Sequence, residues 1–189
     1  MILVEETQIP EAALPVAALR RHLRLGTGFA EDELQDAVLA SFLRAAIAAI
    51  EARTAKALIA RTFVLTLNGW RDAGGQALPV APVAQIASVT LIDRFGQSQA
   101  VDMQTVRLVR DADVPVLAPQ AGSLPTIGTG GSAEIRFEAG FGADFDDLPA
   151  DLAQAALLLA AHYYEHRDET ALSQGCMPFG VTSLIARYR

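Results

Sequence analysis

The chain has 189 residues, a formal net charge of −7 and a hydrophobic fraction of 51%. This length and composition predict a globular domain that can bury a core of its own. The excess of acidic residues argues against a generally basic nucleic-acid-binding surface, because such a surface needs clustered Lys and Arg to neutralise phosphates.

The N-terminal stretch "MILVEETQIPEAALP" carries acidic residues where a signal peptide has basic ones. Together with the lack of an apolar run long enough to span a bilayer, this predicts a cytoplasmic protein with no membrane partner. Residues 16–25 follow Pro15 and predict a short helix, since proline is tolerated at the first helical position. Its basic run "LRRHLRL" is interpreted as a solvated helix face, with a phosphate or partner contact as the less favoured alternative.

A long helix is predicted over about residues 31–54. Three acidic residues in "EDEL" lie in its first turn, where they interact favourably with the helix dipole. Apolar residues then recur at helical spacing in two neighbouring stripes, so the apolar face is broad. Such a face requires either a full core or a neighbouring subunit.

The middle of the chain, about residues 60–142, alternates between apolar and polar residues as strands do. Strands are predicted over 62–70, 86–93 and 133–140, with weaker ones near 99–101 and 106–109, and "DRFGQS" predicts a hairpin turn. A last long helix is predicted over 149–166, apolar on nearly every side. The predicted fold is therefore α+β: mainly a helical bundle, with a small antiparallel β insertion between the second and last long helices. We predict a single domain over residues 1–177, followed by a C-terminal extension over 178–189.

The sharpest chemical motif is "HYYEH", which matches the H-x-x-E-H zinc motif of some metallohydrolases. His162 and His166 lie one helical turn apart, with Glu165 beside them as a possible general base. Only Glu169 and the C-terminal segment remain downstream as third ligands, and His22 belongs to a distant predicted helix. We therefore favour a packing role at a helix end and keep a zinc-dependent hydrolase as the alternative.

Other motifs point to no enzyme. The loop "GSLPTIGTGG" lacks the Lys-Ser/Thr of a phosphate-binding loop, and "DFDD" lacks the length and final Glu of a calcium loop. The single cysteine, Cys176, excludes an intramolecular disulfide and has no evident base partner. We expect no catalytic residues, no metal and no cofactor.

Four blocks of sequence, taken in order, resemble the head–tail connector (adaptor, or head-completion) proteins of long-tailed phages and gene transfer agents. They are "IEARTAKALIARTFVLTL", in which Ala55 stands in place of the family's usual turn glycine, "ALPVAPVAQIASVTLIDRFG", "IRFEAGFGADFDDLPADLAQAALLLAAHYYEHRD" and the closing "MPFGVTSLIARYR". The blocks are short, but their order makes the resemblance extend over nearly the whole chain.

The resemblance implies a structural protein of the virion or phage-like particle, located at the head–tail interface. It implies a ring of about twelve copies under the portal, which extends the DNA channel and joins the capsid to the tail. The expected partners are further copies of the chain, the portal protein and a downstream stopper or tail protein. DNA would pass through the channel without specific binding. A monomeric binding module of an unrelated bacterial assembly remains a third possibility.

The C-terminal extension is too short to fold alone and too apolar to be a simple solvated end. Our hypothesis is that it docks on the portal, since aromatic and Arg residues are frequent interface hot spots. The predicted portal-binding residues are Phe179, Leu184, Ile185, Arg187, Tyr188 and Arg189. The alternative is that the extension folds back on the chain's own last helix.

Overall fold

The computed structural model describes residues 1–25, 32–167 and 177–188. These residues divide into two compact units. A β unit comprises Met1–Gln8 and Ala60–Phe141, and a helical unit comprises Ile9–Ile59 and Gly142–Arg189. The chain therefore begins in the β unit, and each unit is assembled from two separate stretches of sequence.

The β unit contains two antiparallel sheets. The larger has the strand order β1-β2-β8-β4-β5 and the smaller the order β3-β7-β6. The strands are β1 (Ile2–Glu5), β2 (Arg61–Leu67), β3 (Gln76–Ala77), β4 (Val83–Ile92), β5 (Ser98–Ala100), β6 (Val106–Val109), β7 (Val116–Pro119) and β8 (Ser132–Ala139).

Strict alternation builds the core of the β unit. Alternate residues of β2 are buried, as are alternate residues of β8, and the two strands pair in antiparallel register with Phe63 opposite Phe137. The two rings stack with centroids 5.7 Å apart. The buried guanidinium of Arg61 lies over the Phe63 ring and forms a bidentate pair with the Glu5 carboxylate of β1 at 2.9 and 3.0 Å. The N-terminal strand is thus tied to the sheet by side chains as well as by its backbone.

The helical unit contains four α-helices among its described residues. They are α1 (Val16–His22), α2 (Asp32–Thr54), α3 (Ala150–Glu165) and α4 (Phe179–Leu184). Helices α1, α2 and α3 pack against one another, and their contact surfaces are formed by fully buried residues such as Leu19, Leu43, Ile47 and Leu159. Phe42 of α2 and Tyr164 of α3 meet edge to face with ring centroids 6.0 Å apart. No helix in the described ranges is both long and apolar enough to cross a membrane.

The prediction of a mainly helical bundle with a small β insertion is wrong. The fold is α+β with two antiparallel sheets and a β component comparable to the helical one. Two causes explain the difference. Strand β1 comes from the N-terminus and pairs with β2, Ile2 opposite Thr66, so the sheet is more than an insertion between helices. Strands β3 and β7 also form a second sheet with β6, which the sequence pattern did not indicate.

Candidate functional site: the C-terminal segment of the helical unit

The C-terminal segment forms the short helix α4, which packs on α3. The helix begins after Pro178, whose carbonyl oxygen accepts a hydrogen bond from the Thr182 amide at 3.0 Å. Val181 and Ile185 lie four residues apart, which places them on one face of the turn. Both are completely buried, so they anchor the segment within the helical unit.

Phe179 shows the opposite behaviour. It is the first residue of α4, and 86% of its surface is exposed. A large aromatic side chain normally gains roughly 2 to 3 kcal/mol from burial, so an isolated ring in water leaves that gain available to a partner. Phe179 is therefore the apolar group of this segment that is best placed to bind another molecule.

The last turn is tied to the start of α3 through one carboxylate. The Tyr188 hydroxyl donates to Asp151 Oδ1 at 2.9 Å, and Arg187 Nε lies 2.8 Å from Asp151 Oδ2. The Arg187 guanidinium also contacts the Tyr188 hydroxyl. A tyrosine phenol is protonated at neutral pH and able to donate, and burial is the main cause that raises the pKa of Tyr188 further.

The structure separates the predicted portal-binding residues into groups. Phe179 is exposed and Ile185 is buried, while Leu184 lies at an intermediate depth. The side chains of Arg187 and Tyr188 are engaged with Asp151. Arg189 lies outside the described residues.

Two residues that organise this segment were missed in the sequence analysis, Val181 and Asp151. The four-residue spacing of Val181 and Ile185 could have indicated a buried helical face. Nothing in the sequence indicates that Asp151, in the first turn of α3, binds side chains more than thirty residues downstream.

The H-x-x-E-H motif occupies the C-terminal end of α3. The His162 and His166 rings lie with centroids 4.3 Å apart, and His166 Nδ1 is 3.0 Å from the His162 carbonyl oxygen. His166 is the residue that ends the helix, and Glu165 is exposed. This arrangement matches a helix-end role, in which a ring nitrogen binds a terminal carbonyl.

His22 lies closer to the motif than its sequence position suggests. It lines a cleft of about 250 Å³ together with His162 and Glu165, and residues around α4 form another wall. Even so, among residues 1–25, 32–167 and 177–188 no three His, Cys, Asp or Glu side chains are grouped so that they could hold a metal ion. Glu169 and Cys176 lie outside the described residues.

No protein-family model matches the chain, and no curated protein matches it either. Solved structures do match. A chain in the neck of an empty GTA (gene transfer agent) particle, computed with C6 symmetry, is 53% identical with a TM-score of 0.91. The alignment covers 100% of this chain and 95% of that one.

Two further solved structures contain chains of similar sequence and fold. A chain in the virion of a native gene transfer agent particle is 53% identical with a TM-score of 0.88. A chain in the neck of a native GTA particle, computed with C12 symmetry, is 50% identical with a TM-score of 0.86. Both alignments again cover 100% of this chain and 95% of the other.

Identity of this level over the whole chain establishes a common family, and it confirms the predicted location in the particle at the head–tail interface. The matched chains are structural components of these particles. The chain described here belongs to the family of structural proteins found in the neck of gene transfer agent particles.

Proposed function

We propose that the chain is the head–tail adaptor of a gene-transfer-agent-like particle. In this role a ring of about twelve copies lies beneath the portal, extends the DNA channel and joins the capsid to the tail. The observation that carries the proposal is the 53% identity over 100% of the chain with a chain of a particle neck. The work is non-covalent and uses no cofactor.

The ring itself is supported by the symmetry of the related necks, which were computed with C12 and C6 symmetry. A closed ring needs a heterologous interface, in which one face of a copy docks on a different face of the next copy. Helix α2 exposes a stripe that carries no charge, formed by Ala37, Val38, Ser41, Ala45 and Ala48. Small uncharged residues allow another helix to approach closely, so this stripe suits contact between copies.

The portal contact is assigned to the C-terminal segment. Phe179 is the leading anchor because it is exposed, and the exposed Arg187 lies on the same segment beside the half-buried Tyr188, whose hydroxyl binds Asp151. Leu184 and Arg189 would complete the contact, and Ile185 would hold the helix in place from its buried position. The opposite end of the ring would receive a stopper or tail protein.

The charge of the chain suits a DNA channel. With a net charge of −7, a ring of copies presents few sites that could neutralise phosphates, and counterion release would not hold the DNA in place. DNA can then pass without adhering.

The role is tested by deleting the gene and examining the particles by negative-stain electron microscopy. We expect heads without tails beside free tails, and restoration of tailed particles by the unchanged gene. Complementation with Phe179→Ser should yield fewer tailed particles, while Ser183→Ala, an exposed change on the same helix, should restore them fully. Normally tailed particles from the deletion strain would contradict the adaptor role. Full activity of Phe179→Ser alone would contradict only the assignment of Phe179.

A further inference from the structure

Strand β4 has an edge that is only partly paired. Strand β5 pairs with Thr90–Ile92, and the Val89 carbonyl accepts the Val101 amide at 2.9 Å. Over residues 83–88, β4 pairs with β8 on one side, and no strand in the described part of the chain pairs with the other side. A row of open backbone groups of this kind is a template for another strand.

This open edge borders a groove of about 210 Å³ within the β unit. Residues 84–86 of β4 line it, and so do residues 106–108 of β6, the outer strand of the smaller sheet. Ile86, Met103 and Leu108 contribute apolar surface. Two bulges interrupt the pairing of β4 with β8 here, a feature that often occurs where a strand is shaped for binding.

Two arginines give the groove its charge. Arg107 is exposed along the groove, and Arg110 Nη2 donates to the Ala84 carbonyl oxygen at 3.0 Å. This contact shows that the Ala84 carbonyl is directed away from β8 and accepts a donor on its open side. In a chain with a net charge of −7, two guanidinium groups on one small groove favour an acidic occupant.

We propose that this groove binds an extended acidic segment of another protein of the particle, which adds as a strand to the open edge of β4 at residues 84–86. The surface is separate from the C-terminal segment assigned to the portal, and it goes beyond the adaptor role.

The Ala84 carbonyl and the two arginine side chains supply the contacts for the incoming strand. A backbone N–H of the incoming strand replaces Arg110 as the donor to the Ala84 carbonyl. The released guanidinium and that of Arg107 then pair with carboxylates of the incoming segment, and charge-assisted bonds of this type are the stronger ones. Side chains alternate along a strand, so the residues between the carboxylates face the apolar surface of Met103 and Leu108.

The test uses the purified, isotope-labelled chain and NMR titration, so it does not depend on particle assembly or on the adaptor role. The probe is the peptide acetyl-Val-Glu-Val-Glu-Val-Glu amide. Its controls are the same peptide with Lys for Glu, and a version with alternate backbone nitrogens methylated. The variant Arg107→Glu/Arg110→Glu is compared with Arg71→Glu/Arg94→Glu, which changes two exposed arginines elsewhere in the β unit.

We expect the acidic peptide to shift the amide signals of residues 84–86 and 106–108, and the Lys and methylated peptides to bind at least about tenfold more weakly. The Arg107→Glu/Arg110→Glu variant should bind the acidic peptide about tenfold more weakly than the unchanged chain, and the Arg71→Glu/Arg94→Glu control should bind it equally well. Equal binding of the methylated peptide would overturn strand addition. The proposal would be overturned by any of four results. The acidic peptide does not bind at millimolar concentration, or it shifts amide signals only outside the groove. Alternatively, a second copy of the chain occupies the groove, or the groove binds a DNA oligonucleotide more tightly than the peptide.

Discussion

At the residue scale, the end of α2 shows how a single side chain limits stability. Ala55 adopts φ of 54°, in the left-handed region that glycine adopts without cost. Its amide donates to the Glu51 carbonyl at 2.8 Å, and the Glu51 side chain accepts the Leu58 amide at 2.7 Å, so the conformation is held from both sides. The Thr54 hydroxyl adds a bond to the Ile50 carbonyl. The resemblance of the sequence predicts a turn here, with Ala55 in place of a glycine.

Replacing Ala55 by Gly should therefore raise the free energy of unfolding by up to about 1 kcal/mol, since relief of the left-handed strain exceeds the added entropy of the unfolded chain. Urea denaturation measures the change. The matched control is Ala48→Gly, at an exposed position inside α2, which should lower stability by about 1 kcal/mol. A less stable Ala55→Gly protein would contradict the strain argument.

A second residue-scale prediction concerns Glu6. Its carboxylate forms a bidentate pair with Arg136 at 2.7 Å, and this hydrogen bonding holds the pKa of Glu6 below its ordinary value. A depressed carboxyl pKa contributes stability above the unfolded-state pKa, and this contribution is lost as the pH falls through the folded-state pKa.

NMR titration of the Glu6 carboxyl should give a pKa below that of an unpaired glutamate, and Arg136→Gln should return it upward. Because both groups are exposed, added salt should weaken the shift. An ordinary Glu6 pKa in the unchanged protein would refute the pairing.

At the scale of elements, α4 combines a buried side that attaches it to α3 with an exposed aromatic side chain, Phe179. Ile185 is fully buried and Phe179 is 86% exposed, although both belong to the same short segment. The attachment depends on apolar contact with α3 and on the bonds to Asp151. The Phe179 ring can therefore bind a partner without disturbing the packing of α4 on α3.

Ile185→Ala should destabilise the docked state of α4 by about 2 to 5 kcal/mol, because it deletes buried methyl groups and leaves a cavity. Hydrogen exchange of residues 179–188 should accelerate accordingly. Phe179→Ala serves as the paired variant and should leave exchange nearly unchanged. If Phe179→Ala accelerated exchange as much as Ile185→Ala, the conclusion that Ile185 anchors α4 and that Phe179 does not would be wrong.

Elements differed in how well the sequence predicted them. Helical periodicity indicated α2, a long run that is apolar on nearly every side indicated α3, and strict alternation indicated β2 and β8. Strand β1 shows no such signal: three of its four residues are exposed, and its pairing with β2 depends on residues about sixty positions away. Strand β7 has the sequence VLAP, which shows no alternation of apolar and polar residues and ends in a proline, so the pattern does not predict it.

At the scale of the whole molecule, these undetected strands explain why the balance of the fold was mispredicted. The pattern identified an α+β chain but assigned most of the architecture to helices, whereas eight strands form two sheets in the described residues. Part of the candidate site could not be predicted from the sequence either. Phe179 was identified as an interface aromatic, but its exposure beside a buried Ile185 is a consequence of tertiary packing.

In the proposed adaptor role, copies of this chain form a ring between the portal and the tail. The most direct test is a cryo-electron microscopy reconstruction of the neck of the particle that contains this chain, at a resolution that traces side chains. We predict about twelve copies in one ring against the portal, as the C12 neck of the related particle suggests, with Phe179 of each copy buried against a portal subunit. Density for the chain away from the portal, or copies that do not close into a ring, would contradict the adaptor role.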